Sequence, residues 1–191
     1  GCLALGVRRP LPMVDEWLAG GAASSRTGGL VVAVERIANA DNVGGLFRNA
    51  AAFGAAAVIM SPGCCDPLYR KSIRVSMGAA LRVPAVRGEP WPACLRLLQQ
   101  AGYLVAALTP RASAQPLESF AGGLDEGARV VVLAGSEGSG LSDEALAAAD
   151  AQVRIPMADG TDSLNVATAV GIGLYGLGRH VRSVLRLRSS A

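Results

Sequence analysis

Residues Ile155 to Val166 (Ile-Pro-Met-Ala-Asp-Gly-Thr-Asp-Ser-Leu-Asn-Val) gather carboxylate, hydroxyl and carboxamide groups where an apolar run passes into a long helical one. Asp162 and Ser163 are both good N-cap residues, and Asn165 would fall in the first turn, where unpaired backbone N–H groups collect. Such a helix start suits a polar ligand. A second polar set, Gly135-Ser136-Glu137-Gly138-Ser139-Gly140, follows a strand-like run and precedes a helical one, the setting that a nucleotide loop requires. Its spacing is neither G-x-G-x-x-G nor a Walker loop, and Glu137 would repel a phosphate. The loop therefore suits a ligand without phosphate, such as an adenosyl group. A third set, Asn42-Val43-Gly44-Gly45-Leu46-Phe47-Arg48, places Asn42 near a helix start and Arg48 six residues on. Taken alone, this pair reads equally well as an N-cap and a surface arginine.

Other chemistries fit poorly. His180 is the only histidine and lies in the tail beside Arg179 and Arg182, which removes a Ser-His-Asp triad. Cys2, Cys64, Cys65 and Cys94 show no zinc or redox spacing and suit a reduced, cytoplasmic protein without bound metal. Gly171-Ile172-Gly173-Leu174-Tyr175-Gly176 does match G-x-G-x-x-G, but it lies inside a helical run with no strand before it, which disfavours a dinucleotide oxidoreductase. Glycines 171, 173, 176 and 178 point instead to a closely packed or dimer-facing helix.

Positioning these groups falls to alternating strands and helices. Apolar runs predict strands at Leu30–Glu35, Ala55–Met60, Val83–Val86, Tyr103–Leu108, Arg129–Leu133 and Gln152–Ile155. Helices are expected at Asn42–Phe53, Trp91–Ala101, Ser142–Ala149 with Ser142 as cap, and beyond Asn165. That order implies an α/β domain with a mainly parallel sheet, helices on both faces, and ligands beyond the carboxyl ends of the strands. With 191 residues, one such domain is expected at 30–191. Residues 1–29, with Pro10, Pro12, Gly20, Gly21, Gly28 and Gly29 around a short apolar piece at Met13 to Leu18, read as a linker or the remnant of a preceding domain. No run reaches the roughly 18 apolar residues of a membrane span. The net charge of +3 comes almost wholly from arginine, with Lys71 the only lysine, and is compatible with nucleic acid. Tyr69, Arg70, Lys71, Ser72 and Arg74 form the densest basic segment outside the C-terminus, equally readable as solvated surface or as an RNA contact.

Taken together, three segments resemble the SpoU branch of the SPOUT superfamily, the knotted RNA methyltransferases: Asn42 to Ala50, Gly135 to Leu141, and Ile155-Pro156-Met157 with Ser163-Leu164-Asn165-Val166. Asp66-Pro67 and Arg74 to Ala79 are similar to the family's connecting segment, and the resemblance runs from about Leu30 to Arg182 in residues, order and spacing. It implies S-adenosylmethionine as methyl donor and a ribose 2′-hydroxyl of ribosomal or transfer RNA as acceptor. A C-terminal trefoil knot, a homodimer with the site near its interface, and a preceding RNA-binding domain are also implied. On the matched positions it implies a cofactor cradle formed by backbone around Leu133, Ala134 and Gly135, Ile155 to Met157, and Leu164, with Thr109 nearby. Arg48 takes the central catalytic place against the RNA phosphate, with Asn42, Glu137, Ser163 and Asn165 ordering arginine, ribose and cofactor. Because a guanidinium is a poor base, orientation and electrostatic help are the role expected of Arg48. The alternative is a non-catalytic RNA-binding or dimerisation module that keeps the fold, against which an intact Arg48, Glu137 and Asn165 argue.

Overall fold

Runs of β-branched and small apolar residues form a seven-stranded, wholly parallel sheet in the computed structural model, which describes residues 6–20, 29–125 and 127–181. The strands are β1 (Leu30–Glu35), β2 (Val58–Met60), β3 (Ala85–Arg87), β4 (Tyr103–Leu108), β5 (Gln115–Pro116), β6 (Arg129–Gly135) and β7 (Ala151–Arg154). They lie in the order β3-β2-β1-β6-β4-β7-β5. At the centre, β1 runs beside β6 from Leu30 opposite Val130 to Glu35 opposite Gly135. Both faces of these strands are buried, which is why they read as unbroken apolar runs rather than alternating ones.

Successive side chains feed two cores. Leu30, Val32 and Val34 pack with α2 (Ala40–Ala52), α5 (Leu117–Gly122) and α7 (Val166–Gly178). Val31 and Ala33 pack on the opposite face with α1 (Val14–Ala19), α4 (Leu95–Gln100) and α6 (Asp143–Ala147). Short α3 (Arg70–Val75) lies outside α2. The glycines of α7 admit close neighbours within this chain. A Cβ at Gly173 would stand 3.4 Å from both Leu108 and Val132, and one at Gly176 would stand 3.0 Å from Leu117.

Several expectations change. The stretch predicted as linker includes α1, whose Val14 and Trp17 enter the core while Met13 bridges to Arg87, so this piece docks on the sheet. Cys2, Gly21, Gly28 and Arg182 lie outside the described residues. Helix α2 starts at Ala40 with Asn39 as its cap, leaving Asn42 in the first turn rather than at the N-cap. Helix α7 is capped by Asn165 itself, not by Asp162 or Ser163. Part of the basic segment is helical as α3, and β5 and α5 are additional elements. No helix among the described residues is long and apolar enough to cross a membrane.

Candidate active site

β4, β6 and β7 end on one edge of the sheet, and the loops that leave them enclose a cavity of about 420 Å³. Leu108, Thr109, Pro110 and Arg111 come from the first loop, residues 134–141 from the second, and Ile155, Met157, Ser163 and Leu164 from the third. Val166 and Ala169 of α7 complete it. This is the place where a parallel sheet leaves strand ends open to a ligand.

The second loop is tightly closed. A Cβ at Gly135 would lie 2.2 Å from the Gly140 carbonyl carbon and 2.4 Å from the Leu141 nitrogen, so only glycine permits the approach. The Gly140 N–H donates to the Ser136 carbonyl at 3.0 Å, with Gly138 and Gly140 at φ 101° and 66° between and beside them. At the loop's exit the buried Glu35 carboxylate accepts the Ser142 N–H at 2.9 Å, with the Arg36 guanidinium 3.6 Å from its other oxygen. Ser142 caps α6, as expected, by accepting the Ala145 N–H at 3.2 Å.

At the rim, one carboxamide joins three elements. Asn165 Oδ1 accepts the N–H groups of Ala167 and Thr168 at 3.0 and 3.2 Å. Its Nδ2 donates to Asn42 Oδ1 at 2.9 Å and to Glu137 Oε1 at 2.6 Å. Both amide hydrogens are thus used, and the opposite amide orientation would set NH2 against two N–H donors. Asn42 is buried, whereas Glu137 is exposed apart from this contact.

Of the predicted cofactor residues, Thr109, Ala134, Gly135, Ile155, Met157 and Leu164 line the cavity. Leu133, expected to contribute backbone, is not among the lining residues; its side chain is fully buried among the residues packed with α1, α4 and α6. Ser163 lines the cavity and is exposed, while Asn42, Glu137 and Asn165 are brought together. Arg48 stands apart from them. It lines a separate groove between α2 and α7 with Gly45, Asn49, Phe53, Ala167, Thr168, Gly171, Ile172 and Tyr175. Arg111, paired at 3.3 Å with the exposed Asp143, is a cavity residue that the sequence reading missed. Its position just past the β4 strand end was the available signal. No group of three or more His, Cys, Asp or Glu side chains among the described residues is placed to hold a metal ion.

Residues 29–175 match the family model described as the SpoU rRNA Methylase family. The chain is 44% identical over 176 residues to an uncharacterized tRNA/rRNA methyltransferase of Mycobacterium tuberculosis, covering 92% of this chain and 58% of that one. It is 35% identical over 146 residues to another from Synechocystis, covering 76% and 52%. It thus spans little more than half the length of these curated relatives. Among solved structures, an AdoMet-bound rRNA methyltransferase from Sinorhizobium meliloti aligns at TM-score 0.72 and 33% identity, covering 82% of this chain and 58% of that one. A SpoU methyltransferase from Streptomyces viridochromogenes in complex with AdoMet aligns at TM-score 0.68 and 28% identity, covering 78% and 59%.

Proposed function

Because the chain belongs to the SpoU rRNA methylase family, we propose that it transfers the methyl group of S-adenosylmethionine to the 2′-hydroxyl of a ribose in ribosomal or transfer RNA. It acts in this reading as a cytoplasmic homodimer with the family's C-terminal trefoil knot, its catalytic domain beginning at residue 30 with α1 docked on it. The observation that carries the proposal is the Asn42–Asn165–Glu137 network at the rim of the strand-end cavity.

The cavity fits the cofactor. Leu108, Leu141, Ile155 and Leu164 offer apolar walls to an adenine, and the Thr109 hydroxyl and loop backbone offer polar partners. Glu137 and Arg111 are the charged side chains among the lining residues; Arg111 is paired with Asp143, whereas Glu137 is held by the neutral Asn165 amide, so its carboxylate is the charge left to attract a cationic ligand. When bound, the cofactor supplies an electrophilic methyl group on a positively charged sulfur.

The chain's task is then to hold a ribose hydroxyl in line and assist loss of its proton. Correct placement contributes on the order of 7 to 11 kcal/mol to such a step. Asn165 fixes the Glu137 carboxylate by one oxygen, so that Glu137 and the cavity-facing Ser163 present acceptors of set direction to the ribose. Arg48 serves by holding an RNA phosphate and stabilising developing charge. The α2–α7 groove beside it exposes Ile172 and Tyr175, with the Tyr175 ring edge-on to Phe53 at 6.2 Å. This apolar groove supports pairing of two copies there, next to Arg48.

Calorimetry with S-adenosylmethionine tests the first half of the reading, and mapping ribose methylation in total RNA with and without the gene tests the second. Saturable cofactor binding and loss of one methylated ribose are expected. No binding at millimolar cofactor would sink the enzyme assignment and leave the non-catalytic module.

A further inference from the structure

The reaction as proposed makes no use of residues 69–82. They hold Arg70, Lys71, Arg74 and Arg82 without a single Asp or Glu, so this short stretch carries +4 in a chain whose net charge is +3. Lys71 is engaged by Asp41 at 2.7 Å, and that contact raises its pKa above the usual lysine value. Arg70, Arg74 and Arg82 are exposed and have no ion pair or side-chain hydrogen bond among the described residues. Interleaved with them, Tyr69, Met77 and Leu81 are 49%, 72% and 64% exposed.

This surface is held firmly in place. Ser72, Ser76, Ala79 and Ala80 are buried beneath it, and the Ser72 hydroxyl donates to the Ala40 carbonyl at 3.3 Å. A Cβ at Gly44 would stand 2.7 Å from Val75 Cβ and 2.9 Å from the Ser72 carbonyl oxygen, so α3 meets α2 at the distance only a glycine allows. Ala40 and Gly44 flank Asn42, which reaches Asn165 in the site. The basic surface therefore sits one helix away from the rim of the cavity.

Exposed guanidinium groups are suited to phosphate oxygens, and a flat phenol and soft apolar side chains between them are suited to unpaired bases. A second copy of this chain is a poorer occupant, because an interface here would have to bury three guanidinium groups while residues 69–82 supply no Asp or Glu and the neighbouring Asp41 is already taken by Lys71. We infer that residues 69–82 form a second RNA-contact surface, binding the looped or single-stranded RNA that flanks the nucleotide entering the cavity. This rests on the proposed function and specifies where its substrate docks.

The test uses Arg70→Ala/Arg74→Ala and Tyr69→Ala in the full chain, with labelled unfractionated tRNA and ribosomal RNA fragments followed by anisotropy from about 50 to 200 mM salt. The double variant should bind RNA roughly tenfold more weakly, with a salt slope shallower by about two. Tyr69→Ala should weaken binding with the slope unchanged, and Tyr69→Phe should restore it. Affinity for S-adenosylmethionine should stay within about twofold throughout, which also verifies folding. Wild-type RNA affinity and slope in the double variant would overturn the inference. So would a fall in molecular mass by light scattering, which would make this face a contact between copies. Absence of S-adenosylmethionine binding by the wild type strikes the proposed function instead, and unchanged RNA binding beside intact cofactor binding overturns this surface alone.

Discussion

Asn165 divides its carboxamide between two tasks: the oxygen caps α7, and the nitrogen holds Asn42 and Glu137. The tasks separate on substitution. Asn165→Asp keeps a good cap but loses both donations and sets a second carboxylate against Glu137. With hydrogen bonds involving charge worth about 1.5 to 3 kcal/mol, methyl transfer should fall about 100-fold or more while α7 stays capped. Asn165→Ala should cost a further ~1 kcal/mol of stability from the lost cap, read by chemical denaturation. Full activity in the Asp variant would remove Asn165 from the mechanism. For Arg48→Ala the expectation is loss of methyl transfer with cofactor affinity nearly unchanged, because Arg48 lies outside the cavity. Equal loss of both would show that its role is misassigned. Residue types at strand ends and helix starts make the loops at 135–140 and 155–166 legible as cavity-forming segments, whereas the individual roles within them come from the family resemblance. The choice of cap was not legible, because Asp162, Ser163 and Asn165 are all good candidates and tertiary bonds to Asn42 and Glu137 decide among them. The distance of Arg48 from Asn42 follows from helix geometry: six residues at about 100° each leave the two side chains about 120° apart around α2.

At the scale of elements, close approach through glycine governs the arrangement. Gly44→Ala must push α3 from α2 and should destabilise the protein by about 1 to 3 kcal/mol in denaturant unfolding. Gly135→Ala meets backbone at 2.2 to 2.4 Å, so the loop has to open, and cofactor affinity should drop at least tenfold in calorimetry. An unchanged affinity would mean that the loop does not contribute to binding. Strands β1 and β4 lie at the residues their apolar runs predict: β1 is buried on both faces, and β4 keeps an unbroken apolar run although Leu104 is exposed. α5 spans only six residues, less than two turns, too few for a helical period to emerge. α3 escapes for a related reason: its Arg70, Lys71 and Arg74 face outward and only Ser72 is buried, so no apolar stripe marks it.

For the molecule as a whole, burial of a thiol links stability to pH. Cys94 is buried against the sheet, and this pushes its pKa from 9.0 up to about 11. The folded state therefore keeps a proton that the unfolded chain releases above about pH 9, so stability falls with rising pH until the folded group also ionises near 11. Cys94→Ala should flatten that part of the stability profile, measured by denaturant unfolding from pH 8 to about 11. An unaltered slope would show that other groups carry it. The Asn42–Asn165 bond, finally, joins positions 123 residues apart, and the Glu137–Asn165 bond joins positions 28 apart. Contacts this distant form late, after the entropy of closing a long chain has been met. During synthesis, at about 5 to 20 residues per second, the strands of β1, β2 and β3 emerge seconds before the start of α7 does. A nascent chain therefore carries its basic helix α3 well before it owns Asn165, the residue whose bonds to Asn42 and Glu137 complete the rim of the cavity.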